Sequence, residues 1–252
     1  MQTLLFGWPY VGLGLAVLLV AWLLLERRAA GAPARLSDPA WVMRLLWPMY
    51  LVHQFEEHGV DLFGHRYAFL AGLCQTLGYG NKPGCPADPA FIFAVNAVGC
   101  QITFVMPWLL QRRAPLVAAC AWGVALVNAV VHLGGASVHG AYNPGVLTSL
   151  VLFLPLSAWM LHVAIRSGTI ERRHVWRVVA SGALTHAVLL LSLNLRTRGL
   201  SQEGLLAINA LNGLCPLAFG LLGYTPAAPR VSPIDAAQPV AAGTPKPPAF
   251  KE

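Results

Sequence analysis

Charge is scarce in this chain of 252 residues: Asp, Glu, Lys and Arg make up 11%, against 56% hydrophobic residues. Soluble domains carry roughly twice that share of charge, so the composition excludes an ordinary water-soluble fold. The net charge of +7 comes from short basic clusters between apolar runs, not from one basic domain. That scatter argues against a nucleic-acid partner and reads as membrane topology. Cysteine is sparse too, five in all, too few for a disulfide framework. There is no internal repeat, no second folded domain and no pair of matching halves, which disfavours a transporter.

What the chain has in quantity is apolar runs of membrane-crossing length. A spanning helix needs about 20 mostly apolar residues, and seven candidates occur, near residues 4–25, 45–63, 90–110, 114–133, 145–165, 178–195 and 205–224. The first lacks a basic leading segment and is followed by Arg27 and Arg28, so it reads as a helix rather than a cleaved signal. The expected fold is an all-α polytopic transmembrane bundle of about seven helices over residues 1–224. The segment 225–252, from Thr225 onward, is rich in Pro and Ala without a helical period, and is expected to be a disordered tail.

Lys and Arg favour cytoplasmic loops. With the N-terminus outside and the C-terminus cytoplasmic, thirteen of the seventeen basic residues fall inside, leaving Arg66, Lys82, Arg196 and Arg198 outside. Cys74 and Cys85 then share a long outer loop, where an oxidising exterior permits a bridge. Cys100, Cys120 and Cys215 lie within apolar spans and read as small buried hydrophobes.

Of the ten acidic residues, only Glu56 and Glu57 lie well inside an expected span, within "MYLVHQFEEHGVDLF", with Asp61 near its outer end. A central charge costs at least about 2.5 kcal/mol on insertion scales, so partners must offset these carboxylates. At 100° per residue, Glu56 and Glu57 lie about 60° behind and 40° ahead of His53, with Tyr50 near the same stripe. His58 lies about 140° away and is expected to point elsewhere. Counting about 1.5 Å per residue puts Glu57, Asn96 and Asn128 at a common depth in the outer half, His132 nearer the surface, and Asn209 and Asn212 at a similar level. His139, Tyr142 and Asn143 fall in the adjoining outer loop. Single Asn side chains commonly serve as interhelical hydrogen-bond glue. Two adjacent carboxylates with a histidine suit cation binding or proton handling better. His162 and His186 lack an acidic partner and read as structural, and His174 as part of a basic loop.

Imidazole with carboxylate suits a divalent metal such as zinc, iron or manganese. "HQFEEH" matches neither H-E-x-x-H nor H-x-x-E-H, and the Glu-x-x-His of di-iron bundles is reversed here. The metal-free alternative is a carboxylate pair with split proton affinities. Three roles follow: an enzyme acting on a membrane lipid or other apolar molecule, a proton- or cation-coupled transporter, or a noncatalytic scaffold.

His53-Gln54-Phe55-Glu56-Glu57, followed by Asn96, His132 and "YNPGVLTSLVLFLP" with Tyr142, Pro144, Gly145 and Pro155, resembles the HXXEE-motif family of bacterial integral membrane proteins. The resemblance covers about residues 45–165 and implies that His53, Glu56, Glu57 and His132 form one site, as catalytic groups or metal ligands. Tyr50, His58, Asn96, Asn128, His139 and Tyr142 are the candidate supporting residues. It implies a bacterial membrane setting and names no substrate.

Overall fold

The computed structural model describes residues 2–80 and 83–222. Ten helices account for most of the described chain: α1 Gln2–Leu25, α2 Pro39–Arg44, α3 Leu46–His58, α4 Ala68–Thr76, α5 Pro89–Leu110, α6 Pro115–His139, α7 Val146–Arg166, α8 Val175–Thr197, α9 Gln202–Asn212 and α10 Cys215–Leu221. The only extended pairing among the described residues is an isolated bridge, Val60 with Arg66. The expectations for Lys82 and for the tail lie outside the described residues.

Among the described residues, six helices are long and apolar enough to cross a membrane: Leu5–Leu25, α5, α6, α7, Arg172–Thr197 and Gln202–Leu221. The span expected at 45–63 is built differently. Helices α2 and α3 run end to end through Leu45, whose backbone is itself helical, and α3 stops at His58. Beyond it Gly59 has no side chain because Phe55 fills that space. The chain then turns through Asp61, whose carboxylate accepts hydrogen bonds from the backbone N–H groups of Phe63 and His65. Burial pushes that carboxyl up, but these bonds and the His65 ring hold it below its usual range.

Local sequence explains where the helices begin. Asp38 precedes Pro39 and accepts from Ala40 and Trp41 N–H, Asp88 precedes Pro89 and accepts from Phe91 N–H, and Ser201 accepts from Gly204 N–H. Each places a side-chain acceptor on helix N–H groups that have no partner within the helix, and proline at the first position gives up no needed donor. Helix α6 is the hub: it packs against α5, α8 and α10, while α1 lies against α3. Trp122 of α6 is fully buried and donates its indole N–H to the Met43 carbonyl. Two helices contain π-helical stretches, Ala94–Gly99 in α5 and Ser149–Phe153 in α7.

Helix α6 runs six residues beyond its expected end. His132 is therefore about 10 Å inside that end of the helix, level with Glu57 rather than nearer the surface. His139 is the last helical residue rather than part of the loop.

Candidate functional site

The two adjacent glutamates face different partners. Glu56 turns to the start of α7, where its carboxylate accepts from Leu147 N–H, Thr148 N–H, the Thr148 hydroxyl and the Tyr142 hydroxyl. It sits where a helix N-terminus presents free N–H groups and positive dipole, so this buried charge is compensated by α7 itself. Glu57 turns to the bundle interior, where Oε2 accepts from Gln54 Nε2 at 2.7 Å. Its oxygens also face three imidazoles: His132 Nε2 at 3.0 Å from Oε1, and His53 and His58 Nε2 each at 3.4 Å from Oε2. No hydrogen bond joins Glu56 to Glu57 among the described residues.

A rotation of about 100° separates consecutive residues on a helix, and that angle produces the division. Glu56 and Glu57 flank His53, so one carboxylate addresses each side of its ring. The same arithmetic misleads for His58: it lies about 100° from Glu57 on the other side, yet its ring still reaches the carboxylate. The expectation that His58 points away from the cluster is corrected accordingly.

The partners fix the histidine tautomers. Thr148 gives its one hydroxyl hydrogen to Glu56, so its oxygen accepts from His53 Nδ1–H at 2.7 Å. Asn143 donates its amide nitrogen to the His132 carbonyl, which leaves its oxygen to accept from His132 Nδ1–H at 2.8 Å. Both rings therefore carry hydrogen on Nδ1 and turn Nε2 toward the Glu57 carboxylate, as a lone pair when the ring is neutral and as an N–H when it is protonated. His53 Nε2 is buried with no hydrogen-bond partner among the described residues, although it lies near the carboxylate. A lone pair facing a carboxylate is repulsive, so the contact calls for a proton or a metal cation between them.

His53, Glu57 and His132 each offer a ligand atom, all within 4.8 Å of one another, and all three residues are buried. A tetrahedral ion about 2.0 Å from each ligand separates ligand atoms by about 3.3 Å. The pairs at 3.0 and 3.4 Å, one to each Glu57 oxygen, lie close to that edge. Glu56, expected as a fourth ligand, instead orients His53 through Thr148. The backbone leaves no slack above the rings. A methyl group on Gly145, at φ +97°, would lie 2.6 Å from His132 Cε1 and 2.9 Å from His53 Cε1.

The supporting candidates divide. Tyr50 stacks on Phe104 and donates to the Asn96 carbonyl, while the Asn96 amide nitrogen lies 3.3 Å from His58 Nε2. Asn128, His139 and Tyr142 line a cavity of about 770 Å³ that reaches Glu57 and His132. Outside the spans, burial and the Glu56 carboxylate raise the Tyr142 hydroxyl's pKa, while the Leu62 N–H bond opposes them. Asn209 bonds within its own helix, and Asn212 bonds across to the Thr185 carbonyl as interhelical glue. His162 stacks on Trp159, as a structural histidine does. His186 donates Nδ1–H to the Gly182 carbonyl, but it also lines the cavity, which sequence reasoning did not anticipate.

Thr148 and Gln54 were missed because uncharged polar residues are common in membrane bundles and neither has a signature spacing. The signal for Thr148 was its place at the start of a helix, where a buried carboxylate can be held.

No curated protein and no solved structure matches the chain. Residues 44–160, which hold His53, Glu56, Glu57, His132 and the loop that orients them, match the family model described as a protein of unknown function with HXXEE motif.

Proposed function

We propose that His53, Glu57 and His132 hold a divalent metal ion in a membrane-embedded enzyme that acts on a lipid or similarly apolar molecule. The observation that carries this reading is the pair of Nε2 atoms aimed at one carboxylate, with Nδ1 of each ring held by an outer partner. Metal-bound histidines are commonly held this way, by a hydrogen bond from the second ring nitrogen. Two imidazoles and a carboxylate suit zinc, iron or manganese and leave coordination positions open. Such an ion would polarise a carbonyl or phosphoryl oxygen, or make bound water acidic.

The chain's own residues supply the rest. Glu56 and Thr148 hold the His53 ring, Asn143 holds His132, and Gln54 fixes the Glu57 carboxylate. The cavity of about 770 Å³ brings the outside of the bundle to this cluster. Val131 and Leu190 line it while 55% and 64% exposed on α6 and α8, which supports entry from the lipid side. The disulfide between Cys74 and Cys85 stands at the same end of the helices. With the positive-inside bias, it favours a site in the outer half of the membrane and an outside N-terminus.

The test is metal content of detergent-purified wild type beside His53→Ala, His132→Ala and Glu57→Ala, with folding judged by gel filtration. Near-stoichiometric metal in wild type, lost in folded variants, is expected. A chelator-free wild type that carries no metal and takes up none from added zinc, iron(II) or manganese(II) sinks the reading. It would shift attention to proton-coupled chemistry, for which gradient-driven flux in sealed vesicles is the assay.

A further inference from the structure

His186 is the one polar residue that α8 contributes to the large cavity, where Leu189, Leu190 and Leu193 complete that wall. These four positions recur every three or four residues, so they form a single face of the helix. The same cavity is lined by Glu57 and His132, close enough for their charges to act on the His186 ring.

The ring is held from one side. Its Nδ1 lies 2.8 Å from the Gly182 carbonyl. A carbonyl oxygen only accepts, so Nδ1 carries the hydrogen and Nε2 of the neutral ring carries the lone pair. Gly182 is itself fixed, because it faces the Gly123 carbonyl where α6 and α8 meet and no methyl group fits between them. A closely packed stretch of backbone therefore sets the tautomer. The other nitrogen is left unused. Nε2 makes no hydrogen bond among the described residues, yet it is not sealed in by surrounding atoms as His53 Nε2 and His58 Nδ1 are. The polar groups nearer the cluster are already committed: His132 to Glu57, Asn143 to His132 and Tyr142 to Glu56.

We propose that His186 is the proton-transfer residue of this site, with Nε2 acting on the molecule that occupies the large cavity. Nε2 takes the proton of an O–H group carried by that apolar molecule or by a water beside it. The ring's lone pair forms the new N–H bond, and the O–H electron pair stays on the oxygen, which becomes a nucleophile. The imidazolium, with hydrogen on both nitrogens, returns the proton to the leaving group and the neutral ring is restored. The proposal rests on reading the large cavity as the substrate's.

The test uses the full chain in phosphatidylcholine nanodiscs and two apolar probes. The first is 4-dodecyl-2-nitrophenol, whose ionised form absorbs visible light. On wild type the bound phenol is expected to ionise about one pH unit lower than on His186→Gln, because Nε2 takes its proton and the two charges pair. Equal titration on the two folded proteins overturns the proposal. The second probe, 1-bromododecan-2-one, needs no variant: a free imidazole lone pair displaces its bromide and forms a stable N–C bond. Peptide mapping of wild type is expected to find His186 alkylated and His53, whose Nε2 is sealed, unmodified. An unmodified His186 overturns the proposal, since a base out of reach of the cavity cannot serve a substrate there. Metal content, measured on the same preparations, separates the two readings. A metal-free wild type that gives both expected results removes the metal centre and leaves His186 its role, whereas a metal-loaded one with an unreactive His186 does the reverse.

Discussion

Glu56 and Glu57 show how neighbours in sequence acquire different work. Glu57 faces three imidazoles, whereas Glu56 holds the α7 N-terminus and, through one hydroxyl, the ring of His53. Thr148 is the connection, and its hydroxyl can be removed with little change of shape. Thr148→Val is expected to lower metal affinity about 10–100-fold, the usual range for losing an outer partner of a ligand. Thr148→Ser should restore most of it. Chelator-competition titration of the two purified variants reads this directly; equal affinities would show that the hydroxyl does not orient His53. Gly145 imposes the complementary constraint, since any side chain there meets both rings.

Among the elements, the pairing of α6 with α8 sets the room available to the site. Gly123 and Gly182 meet where the backbones come closest: a methyl on either would run into the other helix's carbonyl oxygen. Small residues of this kind let membrane helices pack without a hydrophobic drive. Gly182→Ala should cost about 1–3 kcal/mol, as overpacking does. Gly14→Ala on α1 meets open space and should be nearly silent. Unfolding in mixed micelles compares the two, and equal losses would refute the close contact. The π-helical stretches serve the site differently. One carries Asn96 toward His58, and the other follows directly after Thr148, so an added residue per turn re-aims the side chains where regular helix would not.

At the scale of the molecule, the two ends of the bundle carry unlike chemistry. The described end bearing Arg27, Arg28, Arg35, Arg44 and Arg177 is tied by ion pairs, Arg28 to Asp38 at 2.7 Å and Arg44 to both oxygens of Glu26. The hydrogen bond from Arg44 holds the Glu26 carboxyl below its ordinary 4.5. A lowered folded-state value means stability that is present above the unfolded pKa and lost as pH falls through the folded one. Wild type should therefore lose thermal stability below about pH 4.5 more steeply than Glu26→Gln, whose curve lacks that component. Tm measured from pH 6 to 3 on both proteins checks it, and parallel curves would remove the pair from the account. The opposite end carries the Cys74–Cys85 disulfide and the mouth of the large cavity.

Length and apolarity alone determined the helical membrane architecture, because about 20 apolar residues have few other stable arrangements. The exposed starts of α5 and α9 were equally local, since Asp88–Pro89 and Ser201 cap from within a few residues. The rarity of buried carboxylates pointed to His53, Glu56 and Glu57, because charge in hydrocarbon must be compensated. Which carboxylate does what was decided only in three dimensions. Thr148 lies 92 residues from Glu56 and Tyr142 lies 86 away, and their hydrogen bonds exist only once α7 is docked against α3. The His132 ring and Asn143, which orients it, likewise come together through the turn after α6. Periodicity along one helix gives direction but not the partner waiting there, and partners across helices set each group's role.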